Sequence, residues 1–167
     1  NNFPKKMNAS LMRIMCKKIG LDFKKPDSDK LIKQLLQLMH SNQSDFTLTF
    51  SSLSKVIKDE DTSIFLSQFK KKKEISEWLK EWKGNIKKQN LSNKALVKIL
   101  QSSNPNFIPR NHHIENAITL ATNENDFAEM KKLLSILTNP YSNQISYQDY
   151  MRPPKPEEKV SQTFCGT

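Results

Sequence analysis

The stretch "DFTLTFSSLSKVI", residues 45–57, carries two periods at once. Phe46, Leu48 and Phe50 alternate with the two-residue period of a half-buried strand. Over the longer window Phe46, Phe50, Leu53 and Ile57 recur at the four- and three-residue steps of one helical face. Its reading decides the fold class, because the period elsewhere is helical nearly throughout. The longer window favours a helix, opened by Asp45.

Working outward, Met12, Met15, Cys16 and Ile19 form a stripe at i, i+3, i+4, i+7, closed by Gly20 as a C-terminal stop. After "KKPDSD", with Ser28 as the N-cap, Leu31, Leu35 and Leu38 repeat the pattern beside Ile32, Leu36 and Met39. On the other side Thr62 to Phe69 makes a short helix. Ile75, Trp78, Leu79, Trp82 and Ile86 make a longer amphipathic one, and Ser92 caps a third carrying Leu96, Ile99 and Leu100. "NPNFIP", residues 104–109, cannot be helix interior, since each proline removes a donor and clashes with the preceding turn.

Beyond it, Ile114, Ala117, Ile118 and Ala121 share a face. Asp126 with Glu129 spells a capping box before Phe127, Met130, Leu134 and Leu137. The short "NEN" between these two segments predicts an antiparallel helical hairpin. From Asn139 the period vanishes in a stretch holding four of the eight prolines and all three tyrosines. The reading is all-α, roughly seven or eight helices with an extended C-terminal arm. Residues 1–138 form the helical domain and 139–167 the tail, whose tyrosines dock its first half on the helices.

Composition narrows the function. With 167 residues the chain holds one domain and a tail, and with 3 glycines it has no glycine-rich phosphate loop. No apolar run is long enough to span a membrane, and "NNFPKKMNAS" is no secretory signal. The chain starts at Asn1 without an initiator methionine, as a segment of something longer would. Two distant cysteines point to a reducing compartment. The net charge of +10 raises nucleic-acid binding. Its distribution argues against that: lysines are scattered among acids, the run Lys70–Lys73 sits between two apolar segments, and arginine occurs only at positions 13, 110 and 152.

Few residues form a chemical constellation. His112 and His113 are adjacent and so diverge on a helix, His40 is alone, and no His or Cys pair has zinc spacing. Asp59, Glu60 and Asp61 read as a solvated loop, and Trp78 and Trp82 as core. Arg110 opens a helix where its charge opposes the dipole, which calls for a buried structural partner. Cys16 reads as a small buried hydrophobe. Cys165, on the aperiodic tail, is the thiol free to reach a distant partner.

Several stretches, in order, resemble one family, the selenoprotein O family of protein adenylyltransferases. These are "MRIMCKKIGL"; "SDFTLTFSSLS" with Asp45, Phe46, Thr47, Thr49, Phe50, Leu53 and Ser54; and "EWLKEWKGNI". "NPNFIPRN" follows with Asn104, Pro105, Arg110 and Asn111, then "NPY", "RPP" and Cys165. Their order and spacing carry the resemblance, which runs over almost the whole chain and matches the C-terminal third of those proteins. Cys165 stands where the family has selenocysteine or cysteine, followed here by Gly166 and Thr167 rather than the usual Ser-Ser.

The resemblance implies the C-terminal part of a protein-kinase-like enzyme that transfers AMP from ATP to Ser, Thr or Tyr hydroxyls with Mg2+ or Mn2+. It implies that the catalytic, ATP-binding and metal-binding residues all lie upstream of Asn1, so the chain alone is inactive and binds neither ATP nor metal. The partners are then the upstream kinase-like domain, which this region supports through Phe46, Phe50, Trp78, Trp82 and Arg110, and the protein substrates. Cys165 becomes a redox-regulatory thiol, and the compartment bacterial cytoplasm. The alternative is an independent basic helical module for nucleic acid or an acidic protein.

Overall fold

A computed structural model describes residues 2–160, the side chain of Pro26 excepted. Among these residues there are eight α-helices and no strand: α1 (Phe3–Lys18), α2 (Pro26–Asn42), α3 (Phe46–Lys58), α4 (Ser63–Ser67), α5 (Lys72–Lys87), α6 (Asn93–Ser103), α7 (Asn111–Glu124) and α8 (Ala128–Leu137). Two short 3-10 helices follow, Ile145–Met151 and Pro156–Glu158. No helix among the described residues is long and apolar enough to cross a membrane. The chain divides into two compact units, one ending at Asn104 and one starting at Pro105.

The ambiguous stretch is α3. Its N-terminus is capped by Asp45, whose carboxylate accepts from the Leu48 N–H at 2.8 Å. Phe50, Leu53 and Val56 enter the core of the first unit. Thr49, Ser51, Ser52 and Ser54 are buried too, and three of these hydroxyls donate within the helix. Thr49 donates to the Asp45 carbonyl at 2.7 Å, Ser52 to Thr49 at 3.0 Å and Ser54 to Ser51 at 3.0 Å. Small self-satisfied side chains let α3 lie between α4 and α6 without stranding polar atoms.

The stop after α1 behaves as its sequence predicts. Gly20 sits at φ +67, and the N–H groups of Gly20 and Leu21 return to the carbonyls of Lys17 and Cys16 at 3.0 and 2.9 Å. Residues from α5 onward then grip this turn. The Trp82 indole donates to the Ile19 carbonyl at 2.8 Å, while Gln89 donates to the Gly20 carbonyl at 2.9 Å and accepts from the Asp22 N–H at 2.8 Å. Trp78 stacks on Trp82 with centroids 5.9 Å apart and donates to the Leu31 carbonyl of α2 at 2.9 Å. Both tryptophans and Phe50 are buried in this unit's own core.

Two helix starts differ from their sequence reading. Helix α2 begins at Pro26, a residue type common in a helix's first turn, and Ser28 is not its N-cap. Ser28 is buried one turn in, and its hydroxyl donates to the Asp22 carbonyl at 2.7 Å. The capping box before α8 does not form either. Asp126 accepts from the Ala128 N–H at 2.8 Å, a local turn bond, while Glu129 is taken by the Tyr150 hydroxyl at 2.6 Å.

That phenol belongs to the second core, in which Phe107, Ala117, Leu133, Ile136 and Tyr150 are buried with Tyr147 against them. The boundary expected at residue 138 falls inside this unit, because Tyr147 and Tyr150 share a core with α7 and α8. The proline loop is held by the later Asn-Pro turn: the N–H groups of Asn106 and Phe107 both donate to the Pro140 carbonyl, at 2.8 and 3.1 Å. Tyr141, in contrast, is half exposed.

Candidate functional site

Of the residues picked out by the sequence, Asn104 makes the most defined contacts. Its amide donates to the Lys18 carbonyl at 2.8 Å and the Leu100 carbonyl at 2.9 Å, so one buried side chain caps the ends of both α1 and α6. Lys18 answers across the same junction, donating to the Ser103 carbonyl at 3.1 Å and to the Asn104 amide oxygen at 3.4 Å. Its ammonium lies 5.8 Å from the Phe46 ring centre and 5.6 Å from that of Phe50. Burial pushes the Lys18 pKa below its usual value. A cation at two helix C-termini, facing carbonyls and aromatic rings, is a structural clamp. Asn104→Ala orphans the Lys18 and Leu100 carbonyls, so urea unfolding should register a loss of about 1–3 kcal/mol.

Pro105, Arg110 and Asn111 belong to the second unit. Arg110 is buried, at 7% exposure, in the N-cap position of α7, and its carbonyl accepts from the N–H groups of His113 and Ile114 at 3.0 and 3.1 Å. Asn111, one residue on, is exposed. The motif therefore divides into an inward arginine and an outward asparagine. Arg110→Ala should lower the melting temperature, at a cost of about 1–3 kcal/mol, since its long side chain is packed as well as charged.

Next to Arg110 lies a polar cavity of about 550 Å3 that the sequence did not announce, bordered by His112, His113, Asn116, Arg152, Glu158 and Val160. The imidazoles lie against each other with centroids 4.0 Å apart, and His113 continues the stack onto Tyr150 at 4.7 Å. Burial, and for His112 then the neighbouring His113, lowers both pKa values from 6.5, so both rings stay neutral at pH 7. Arg152 and Glu158 form a two-pronged ion pair, closed further by the Lys155 N–H on the same carboxylate at 2.8 Å. The pair, led by the Arg152 hydrogen bonds, pulls the Glu158 carboxyl from 4.5 to about 2. The adjacent "HH" and the arginine of "RPP" are legible in the sequence, but their meeting with Glu158 is not, because Arg152 and Glu158 pair across a segment with no period to read.

These shifts have a defined sign. The histidines' folded pKa values are lowered, so their contribution is full above pH 6.5 and is lost as acid protonates the unfolded chain first. The contribution of Glu158 is full above pH 4.5 and is lost as pH falls toward 2. A melting-temperature profile against pH should decline in two steps, the upper one reduced by His112→Asn and the lower removed by Arg152→Ala.

The other candidates are plainly placed. Cys16 is 1% exposed, and burial, then Asp22 and Asp29, raise its thiol pKa, which suppresses thiolate chemistry. Asp61 is exposed and accepts from the Ser63 N–H at 2.8 Å. No group of three or more His, Cys, Asp or Glu among the described residues is arranged to hold a metal ion. Cys165 lies outside the described residues.

The model of the family described as "Protein adenylyltransferase SelO" matches residues 1–138. The chain is 44% identical over 153 residues to "Protein nucleotidyltransferase YdiU" of Maridesulfovibrio salexigens, covering 92% of this chain and 31% of that protein. It is 38% identical over 166 residues to the protein of the same name in Rhizobium etli, covering 99% and 33%. Against that of a Bacillus cereus strain it is 37% identical over 153 residues, covering 92% and 30%. The chain thus spans about a third of the length of these curated relatives. With more than half of its length matched by the family model, the chain belongs to the SelO family of protein adenylyltransferases.

Proposed function

We propose that this chain is the C-terminal helical region of a protein adenylyltransferase, and that it supports a kinase-like catalytic part of the same polypeptide. The observation that carries this reading is the family match over residues 1–138, joined to the one-third coverage of each relative. In the reaction a Ser, Thr or Tyr hydroxyl oxygen of a protein bonds to the α-phosphorus of ATP. The bond from that phosphorus to the bridging oxygen breaks, pyrophosphate leaves, and the hydroxyl proton is lost. In this reading ATP and Mg2+ or Mn2+ are held by the rest of the parent. No step of the transfer is assigned to this chain, and the 167 residues alone are expected to label nothing.

Cys165 is the proposed redox element. Its thiol and a second thiol would each give up a proton and together two electrons to a peroxide or disulfide oxidant, forming a disulfide. The burial and raised pKa of Cys16 disfavour it as that second thiol, so the partner belongs to the rest of the parent. A bacterial cytoplasm, where thiols are kept reduced, suits such a switch.

The test is to incubate the full-length parent with a divalent metal and ATP labelled on the adenine or on the γ-phosphate. Protein labelling from the adenine form alone supports AMP transfer, and labelling from the γ-phosphate alone makes the parent a kinase and overturns the reading. Intact mass of the unreduced parent, with and without Cys165→Ser, then reads the thiol. A disulfide lost in the variant supports the switch, and equal free-thiol counts remove it.

A further inference from the structure

Helix α1 has two apolar faces, and its own unit uses only one. Met15 and Cys16 turn into the core with Met12 against it. Phe3, Met7, Leu11 and Ile14 remain 68%, 54%, 56% and 54% exposed. At 100° per residue these four fall within an arc of about 80°, a single stripe running the length of the helix and turned away from the buried face. An α-helix that is apolar on both sides is ordinarily covered on both. The stripe does not end with the helix, because Ile14 also lines a groove of about 560 Å3 whose other apolar walls are Leu21, Leu91 and Ile99. Leu91 is itself 45% exposed.

Charge says what kind of surface fits. Helix α1 has no acidic side chain and carries Lys5, Lys6, Arg13, Lys17 and Lys18. Lys6, Arg13 and Lys17 gather within about 40° of one another along one edge of the stripe. Arg13 is also packed over the Phe23 ring at 4.6 Å, which holds it there. The surface is an apolar ridge with an apolar groove beside it and a basic border, so its complement is an apolar surface bordered by carboxylates. A second copy meeting it stripe to stripe would set basic border against basic border. A bilayer would cover the ridge but leave the concave groove unfilled.

Resting on the reading that this chain belongs to a polypeptide about three times its length, we propose that the α1 stripe and the Ile14–Leu91–Ile99 groove form the docking surface for the remaining part of that polypeptide. Of the five residues that the sequence recommends for such a role, Phe50, Trp78 and Trp82 are already spent on the core of the first unit, Arg110 is buried in the second, and Phe46 stays 47% exposed. Phe3, Met7, Leu11 and Ile14 are not spent in this way, and they lie on one side of α1.

A photoreactive benzophenone side chain placed at Leu11 of the full-length parent, and separately at Met7, tests this by what it captures. The expected product has the mass of a single chain, with residue 11 or 7 joined to a peptide from outside these 167 residues, and the same probe at Lys73 on α5 gives none of it. A product of twice that mass assigns the stripe to a second copy and overturns the proposal, as does capture of lipid or no capture at either position. AMP transfer is read separately on unmodified parent. Capture without adenine labelling leaves the docking surface standing and removes the catalytic reading, and labelling without capture does the reverse.

Discussion

Replacing Trp82 by alanine is expected to destabilise the first unit by about 3–5 kcal/mol. The indole is fully buried and stacks on Trp78 with the ring planes 9° apart. Its removal opens a cavity between the end of α1 and α5 that neighbours pinned by their own bonds cannot close. It also takes the donor from the Ile19 carbonyl, a helix-terminal acceptor with water excluded from it. Trp82→Phe separates the two contributions, since it keeps most of the bulk and loses the donor. Urea unfolding followed by far-ultraviolet circular dichroism should place Phe between wild type and Ala. A Phe variant as unstable as Ala would make the hydrogen bond the dominant contribution, and an Ala variant as stable as wild type would refute the account.

Gly20→Ala should cost about 2–4 kcal/mol, from two sources that add. At φ +67 a side chain strains the backbone, and an added Cβ would lie 2.6 Å from Leu96 Cδ1 and 3.2 Å from Leu100 Cδ2. Leu96 and Leu100 are at most 1% exposed and have nowhere to retreat. Gly20→Asn distinguishes the sources, because asparagine accepts the left-handed region but meets the same contact. An Asn variant close to wild type would assign the cost to the backbone alone. Gly84 supplies the opposite sign. It lies inside α5 with nothing within 4 Å of an added Cβ, so Gly84→Ala should stabilise by about 0.5–1 kcal/mol.

Both expectations concern the junction where α1, α5 and α6 meet, and it shows how far residue patterns carry. Gly20 was legible as a helix stop because it follows a complete apolar stripe. That Leu96 would press against its missing side chain was not, since the contact joins positions 76 residues apart, 96 minus 20. Asn104 stood out as part of a recurring motif, yet its role as a cap shared by two helix ends depends on Lys18, which no spacing rule connects to it. Ser28 and Glu129 misled for a related reason. Each had the right local position for a cap, and each was claimed by a more distant partner, the Asp22 carbonyl and the Tyr150 phenol. A single exposed cap contributes about 1 kcal/mol, which such partners readily outweigh.

Sequence by itself determined the helical class, the main helix spans and the family, because amphipathic period and stop residues are local and repeat many times along the chain. It placed the inward face of α5 correctly but not that of α8, where Leu133 and Ile136 are buried while Phe127 and Leu134 are 44% and 61% exposed. Tertiary structure alone decided how α3 buries its hydroxyls, which face of α1 stays uncovered, where the chain divides into two units, and how the two histidines come to lie beside an ion pair. Those features rest on single contacts between residues far apart in the chain. A period averages over many positions, and one contact leaves no trace in it.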